Sequence, residues 1–151
     1  MNESLLEVRE YSGDGYSPLV DYGAWRVALL RFADDMLPEN IVYFQRHDET
    51  DEVFVLLRGR CILYIGEGEE GIDSMQAEEM VPLRAYNVKQ GVWHNHTLSR
   101  DAVVLIVENR NTGNQNSPFC PLEAWQRKRL IELHAALWER PVDGARSDLC
   151  E

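Results

Sequence analysis

From Ala24 to Glu108 the apolar residues come in short runs, and each run is closed by turn formers before it reaches helix length. Runs of roughly four to eight residues at close spacing suit strands, and they leave no room for the crossover helices of a parallel sheet. The strand-like runs are Ala24 to Phe32, Ile41 to His47, Glu52 to Arg58, Arg60 to Ile65, Leu83 to Val88, Val92 to Leu98 and Ala102 to Glu108. Glu52 to Arg58 (EVFVLLR) is β-branched and aromatic, as a pleated, half-buried surface prefers. Gly59 between it and the next run predicts a hairpin. Only the last element changes period. Leu122, Trp125, Leu130, Leu133 and Leu137 recur at helical spacing through Glu139, with Pro121 near the start and Pro141 past the end. Six to eight short strands followed by one amphipathic helix predict an all-β antiparallel sandwich or barrel with a C-terminal α-helix.

The 151 residues, 44% of them hydrophobic, suit one domain with a core of its own. The expected layout is a single domain over 1–151. It has an irregular lead-in over 1–22, where Gly13, Gly15 and Pro18 fall, a barrel over 23–110 and the helix over 121–140. Fifteen basic against 26 acidic residues give a net charge of −11. That balance argues against nucleic acid and against an anionic membrane surface as partners. Six of the acids lie between Glu67 and Glu79 and predict a solvated loop. The longest apolar run, Ala102 to Val107, is far short of the ~20 residues of a spanning helix. The opening MNESLLEVRE has no apolar signal region. Cys61, Cys120 and Cys150 are odd in number, widely spaced and free of any CxxC pair. A reducing, cytoplasmic location follows as an expectation.

The chemistry concentrates in two strands. Gln45 and His47 share one strand face, as do His94 and His96, because residues two apart in a strand point the same way. Glu52 follows His47 after a tight turn and opens the neighbouring strand. Two imidazoles, a carboxylate and an amide oxygen then converge at one barrel mouth. Such a mixed N/O set suits a divalent Mn, Fe, Co, Ni or Zn ion. His96 has an unperturbed pKa near ~6.5 and is a candidate catalytic acid or base. Tyr43 and Phe54 share faces with Gln45 and Glu52 and are expected to line the pocket or core. His134, on the helix, is expected at the surface or an interface, and Trp125 and Trp138 as packing anchors.

These residues resemble the cupin family. The first cupin motif is His-x-His, three or four residues, Glu, six residues, Gly; here stand Gln45, His47, Glu52 and Gly59 at matching spacings, with Gln45 in place of the first His. The second motif is Pro-x-Gly-x-x-His and, three residues on, Asn. Gly91 and His94 match it, while Lys89 and Leu98 depart from it. The likeness covers about Ile41 to Glu108. GVWHNHTL is also similar to ureidoglycolate lyase, a small cupin-fold enzyme. The cupin resemblance implies a jelly-roll-like double-stranded β-helix. It places Gln45, His47, Glu52 and His94 at ligand positions for one divalent transition metal. It also implies pairing into homodimers.

Three functions fit. One is a metal-dependent enzyme (a lyase, isomerase or dioxygenase) acting on a small polar metabolite such as a sugar, sugar acid or ureido acid. Another is a non-catalytic small-molecule sensor. The last is a metal-free barrel.

Overall fold

Two antiparallel five-stranded sheets carry the described residues, 1–140, of the computed structural model. In chain order the elements are β1 (Gly15–Tyr22), β2 (Trp25–Arg31), β3 (Tyr43–Gln45), β4 (Glu52–Arg58), β5 (Cys61–Glu67), β6 (Ser74–Glu79), β7 (Ala85–Val88), β8 (Trp93–Leu98), β9 (Val103–Asn109), β10 (Phe119–Pro121) and α1 (Ala124–Trp138). One sheet runs β1-β2-β9-β4-β7 and the other β10-β3-β8-β5-β6. No hydrogen-bonded ladder joins them among the described residues, so they form two facing sheets and not a closed ring. Pro141 and Cys150 lie outside the described residues.

Period-2 burial sets the interior. β4 buries Glu52, Phe54 and Leu56, and β9 buries Val104, Ile106 and Glu108. With Leu30 and Leu63 the apolar members of these stripes form the core between the sheets. A second core lies under α1, where Ile41, Phe44, Ile62, Tyr64 and Trp93 meet Leu130. Burial of each such side chain contributes about 1.5–3 kcal/mol. Gln126 caps α1 and ties it to the β5–β6 turn: its Oε1 accepts the backbone N–H of the N-cap Glu123 at 2.7 Å, and its Nε2 donates to Ile72 O at 2.7 Å. Trp138 packs at the other end, with Arg60 over its ring at 4.2 Å. Trp125 stays 46% exposed and anchors nothing inside. No helix of the described residues is long and apolar enough to cross a membrane.

Three local expectations change. The lead-in contains an edge strand, β1, which pairs with β2 through a turn at Gly23. Pro18 masks it in the sequence, and the register shifts between Pro18 and Val20; an edge is where a strand tolerates proline. Gly59 does not close a hairpin. β4 and β5 belong to different sheets, and the chain turns a corner there with Gly59 at φ 78°. The acidic stretch is a hairpin, β5 with β6, and not an open loop; its acids flank a short turn and lie on an outer strand.

Candidate metal centre

Glu52 Oε2 lies 2.8 Å from both His47 Nε2 and His94 Nε2. Three elements make this meeting. β4 begins with Glu52 facing inward, β8 presents His94 from the opposite sheet, and the turn ahead of β4 carries His47. The turn at Gly91 (φ 77°) ties the two segments together, since its N–H donates to His47 O at 2.8 Å. All three side chains are buried, and their donor atoms lie within 4.8 Å of one another.

The far ring nitrogens decide what this cluster can hold. His94 Nδ1 lies 2.9 Å from Val92 O, which can only accept, so Nδ1 carries a hydrogen. His47 Nδ1 lies 2.6 Å from Ser117 Oγ, whose own hydrogen is directed to Asn116 Oδ1 at 3.2 Å. A neutral His94 ring therefore turns an Nε2 lone pair toward the Glu52 carboxylate, and a neutral His47 ring does the same in the tautomer that donates its Nδ1 hydrogen to Ser117. Lone pair against lone pair at 2.8 Å is repulsive. Either the ring takes a second proton, or one divalent cation sits among the three groups. Imidazoles fixed through Nδ1 by a carbonyl or hydroxyl have the usual form of metal ligands. His47, Glu52 and His94 could thus hold a metal ion.

The titration directions agree with a cation-seeking cluster. Burial alone would raise the Glu52 carboxyl; the hydrogen bonds and charge of His47 and His94 outweigh it and hold the group below its ordinary value. Burial opposes the His47 cation too, yet the hydrogen bond and charge of Glu52 lift its pKa.

The other predicted residues are placed as follows. Gln45 is registered directly opposite His94 and donates its Nε2 to Ser117 O at 3.1 Å, leaving its oxygen as the atom available to an ion. His96 lies on β8, partly buried, with Nδ1 enclosed and without a hydrogen-bond partner among the described residues. Burial pushes its imidazole down to about 4, so it is neutral at neutral pH. Tyr43 is on the cavity wall. Phe54 is core, its ring 6.0 Å from both the His94 and His96 rings, where it backs them. His134 is seated on the sheet, 2.9 Å from Tyr64 Oη and 3.2 Å from Thr97 Oγ1, and stacks on Trp138.

The cluster opens into a cavity of about 540 Å3. Sequence reasoning missed three of its groups. Ser117, in a polar loop, gives no pattern to read. Tyr16 lies on the strand hidden by Pro18. Glu108 left a signal: it occupies the inward parity of β9, after Val104 and Ile106. It lines the same cavity and accepts a hydrogen bond from the Tyr16 hydroxyl. Burial, then the nearby charge of Glu52, raises its pKa, while the Tyr16 bond works the other way.

No family model matches the chain, and no curated protein sequence matches it. Solved structures match its fold. A variant of Pac13 from Streptomyces, bound to uridine, is similar over 76% of this chain and 84% of its own, at 10% identity and a TM-score of 0.53. Another Pac13 structure, described as a unique nucleoside dehydratase, is 9% identical over 76% of this chain and 85% of its own, with a TM-score of 0.52. The capsular polysaccharide assembling protein CapF from Staphylococcus aureus is 13% identical over 81% of this chain but 34% of its own, with a TM-score of 0.54. At these identities the likeness is one of fold, and that fold is the cupin fold.

Proposed function

We propose that this cupin-fold chain binds one divalent transition metal through His47, Glu52 and His94, with Gln45 as a further ligand, and acts on or binds a small polar metabolite in the cavity beside it. Zn, Mn, Fe, Ni and Co all suit the donor set. The observation that carries the reading is the pair of Nε2 atoms, each 2.8 Å from Glu52 Oε2, with both Nδ1 positions already engaged. A bound ion would supply Lewis acidity toward a carbonyl or hydroxyl oxygen of the ligand. The chain's own groups do the rest. Ser117 and Val92 O fix the two rings, Phe54 backs His94 and His96, and the cavity wall positions the ligand. His96 is our candidate for proton transfer. Its ring lines the cavity and is neutral at neutral pH, so it starts as an acceptor.

Sugars, sugar acids and ureido acids remain the metabolite classes we favour. Proteins of similar fold handle uridine and capsular polysaccharide assembly, which supports a carbohydrate-like ligand. We also assign the chain to a single domain, to the cytoplasm and to a homodimer. Tyr22 and Trp25, an aromatic pair 5.9 Å apart and largely exposed on β1 and β2, support the dimer, and light scattering tests it.

The metal reading is tested by elemental analysis of the purified protein. About one ion per chain is expected, falling to none in His94→Ala with the circular dichroism spectrum kept. Protein that stays metal-free after supplementation would overturn it. A second reading, a metal-free barrel, is favoured by one observation: the raised His47 pKa lets protonated rings satisfy Glu52 without an ion.

A further inference from the structure

Glu108 ends the inward stripe of β9 as Glu52 begins that of β4. The strands are antiparallel with Val53 opposite Val107, so these two ends adjoin and two carboxyls share one end of the cavity. Glu52 is engaged by two imidazoles. Glu108 is not: it is 6% exposed, its Oε1 takes the Tyr16 hydroxyl, and its Oε2 has no side-chain partner among the described residues. With Oε1 taken by Tyr16, Oε2 is the oxygen of this cavity-lining carboxyl left open to a ligand that donates.

The remaining wall agrees. Its polar groups include Asn40, Tyr43, Asn95, Thr112 and Asn114, and Asp35 adds another acid. Among the described residues no lysine or arginine lines the cavity. Arg26, the cation beside Tyr16, is held by Asp21 through Nε at 2.7 Å and Nη2 at 3.1 Å. A phosphate or free carboxylate at the Glu108 end would face Glu108 and Asp35 with no lysine or arginine of the lining to balance it.

We propose that this cavity takes a neutral polyhydroxylated molecule, of the glycoside or nucleoside kind, and that Glu108, anchored by Tyr16, selects it by hydrogen-bonding its hydroxyls. Oε2 serves a hydroxyl in either protonation state, so the role does not depend on where Glu108 titrates. The inference rests on the metabolite-binding part of the function proposed above and narrows its ligand class; it does not need the ion.

The test is calorimetric titration of the full chain, stripped with EDTA so that no ion can capture an anion. The probes are matched pairs: methyl riboside against ribose 5-phosphate, methyl glucoside against glucuronate, and uridine against its 5′-monophosphate. At least one neutral member is expected to bind, with its anionic counterpart about tenfold weaker or worse. Glu108→Leu, which removes both oxygens and is checked for fold by circular dichroism, is expected to weaken the neutral probe by about tenfold and shrink the preference. Should that variant not fold, Tyr16→Phe, which frees Glu108, is expected to weaken the neutral probe by about threefold. Anions binding as well as their neutral partners, no neutral probe binding, or folded variants that keep the full affinity and preference would overturn the proposal. Metal content is measured on separate unstripped samples, so a failure of ion binding and a failure of this preference are read independently.

Discussion

Gln45 stands opposite His94 in the β3–β8 ladder. Opposed residues in antiparallel strands hold their Cβ atoms ~5 Å apart, so a donor at position 45 reaches the space that His94 faces. Gln45→His replaces a weak amide ligand with an imidazole. It is expected to tighten metal binding at least about tenfold, measured by competition with a chromophoric chelator. Unchanged affinity would mean that position 45 does not face the ion.

Glu52 is the shared partner of two rings, and a glutamine there keeps the shape but loses the charge. Glu52→Gln is expected to abolish stoichiometric metal. It is also expected to cost about 3 kcal/mol of folding stability in the metal-free protein, as breaking a buried ionic contact does. Urea unfolding of stripped wild type and variant gives the second figure.

His134 ties stability to pH. Burial lowers its pKa; the charge of Arg60 adds to that effect and Glu39 opposes it. In the unfolded chain the group titrates near ~6.5. Above that pH neither state is protonated and its contribution is complete. As pH falls through ~6.5 the unfolded state takes the proton first, and stability is lost until pH passes the lower folded value. His134→Gln can still donate to Tyr64 or Thr97 and does not titrate. Wild type is therefore expected to lose stability relative to this variant as pH falls from about 7.5 through ~6.5, read by urea midpoints. Parallel pH curves would exclude the effect.

Gly59→Ala is expected to destabilise by about 1–3 kcal/mol. The position needs φ 78°, and an added Cβ would lie 2.6 Å from Ala102 Cα, a backbone atom that cannot swing aside. Thermal unfolding reports the loss. A variant within error of wild type would show that the corner relaxes at little cost.

The strands were legible where period and punctuation agreed. β4 and β9 alternate in burial between turns, and the parity of β4 puts Glu52 inside; β8 buries Trp93 and His94 side by side, so His94 was legible from the motif and not from period. Sheet membership was not legible. The run across Gly59 has the form of a hairpin, and only the pairing of β4 with β9 and of β5 with β8 shows a corner, because those partners are distant in sequence. β1 was lost to Pro18, and with it Tyr16. Glu108 was readable from the parity of β9 but sits at the end of a strand, where an acid passes for a solvated terminus. The seat of His134 depends on how α1 docks, which periodicity does not specify.

Asp51 takes hydrogen bonds from Asn87 and from the Gln90 backbone at 3.0 and 2.8 Å, while Gly91 reaches back to His47. The segment leading to His94 is thereby laced to the segment between His47 and Glu52. The segments that bear His47, Glu52 and His94 are thus joined by the chain's own hydrogen bonds, a link that does not pass through any ion, in contrast to small zinc modules whose segments meet only at their metal.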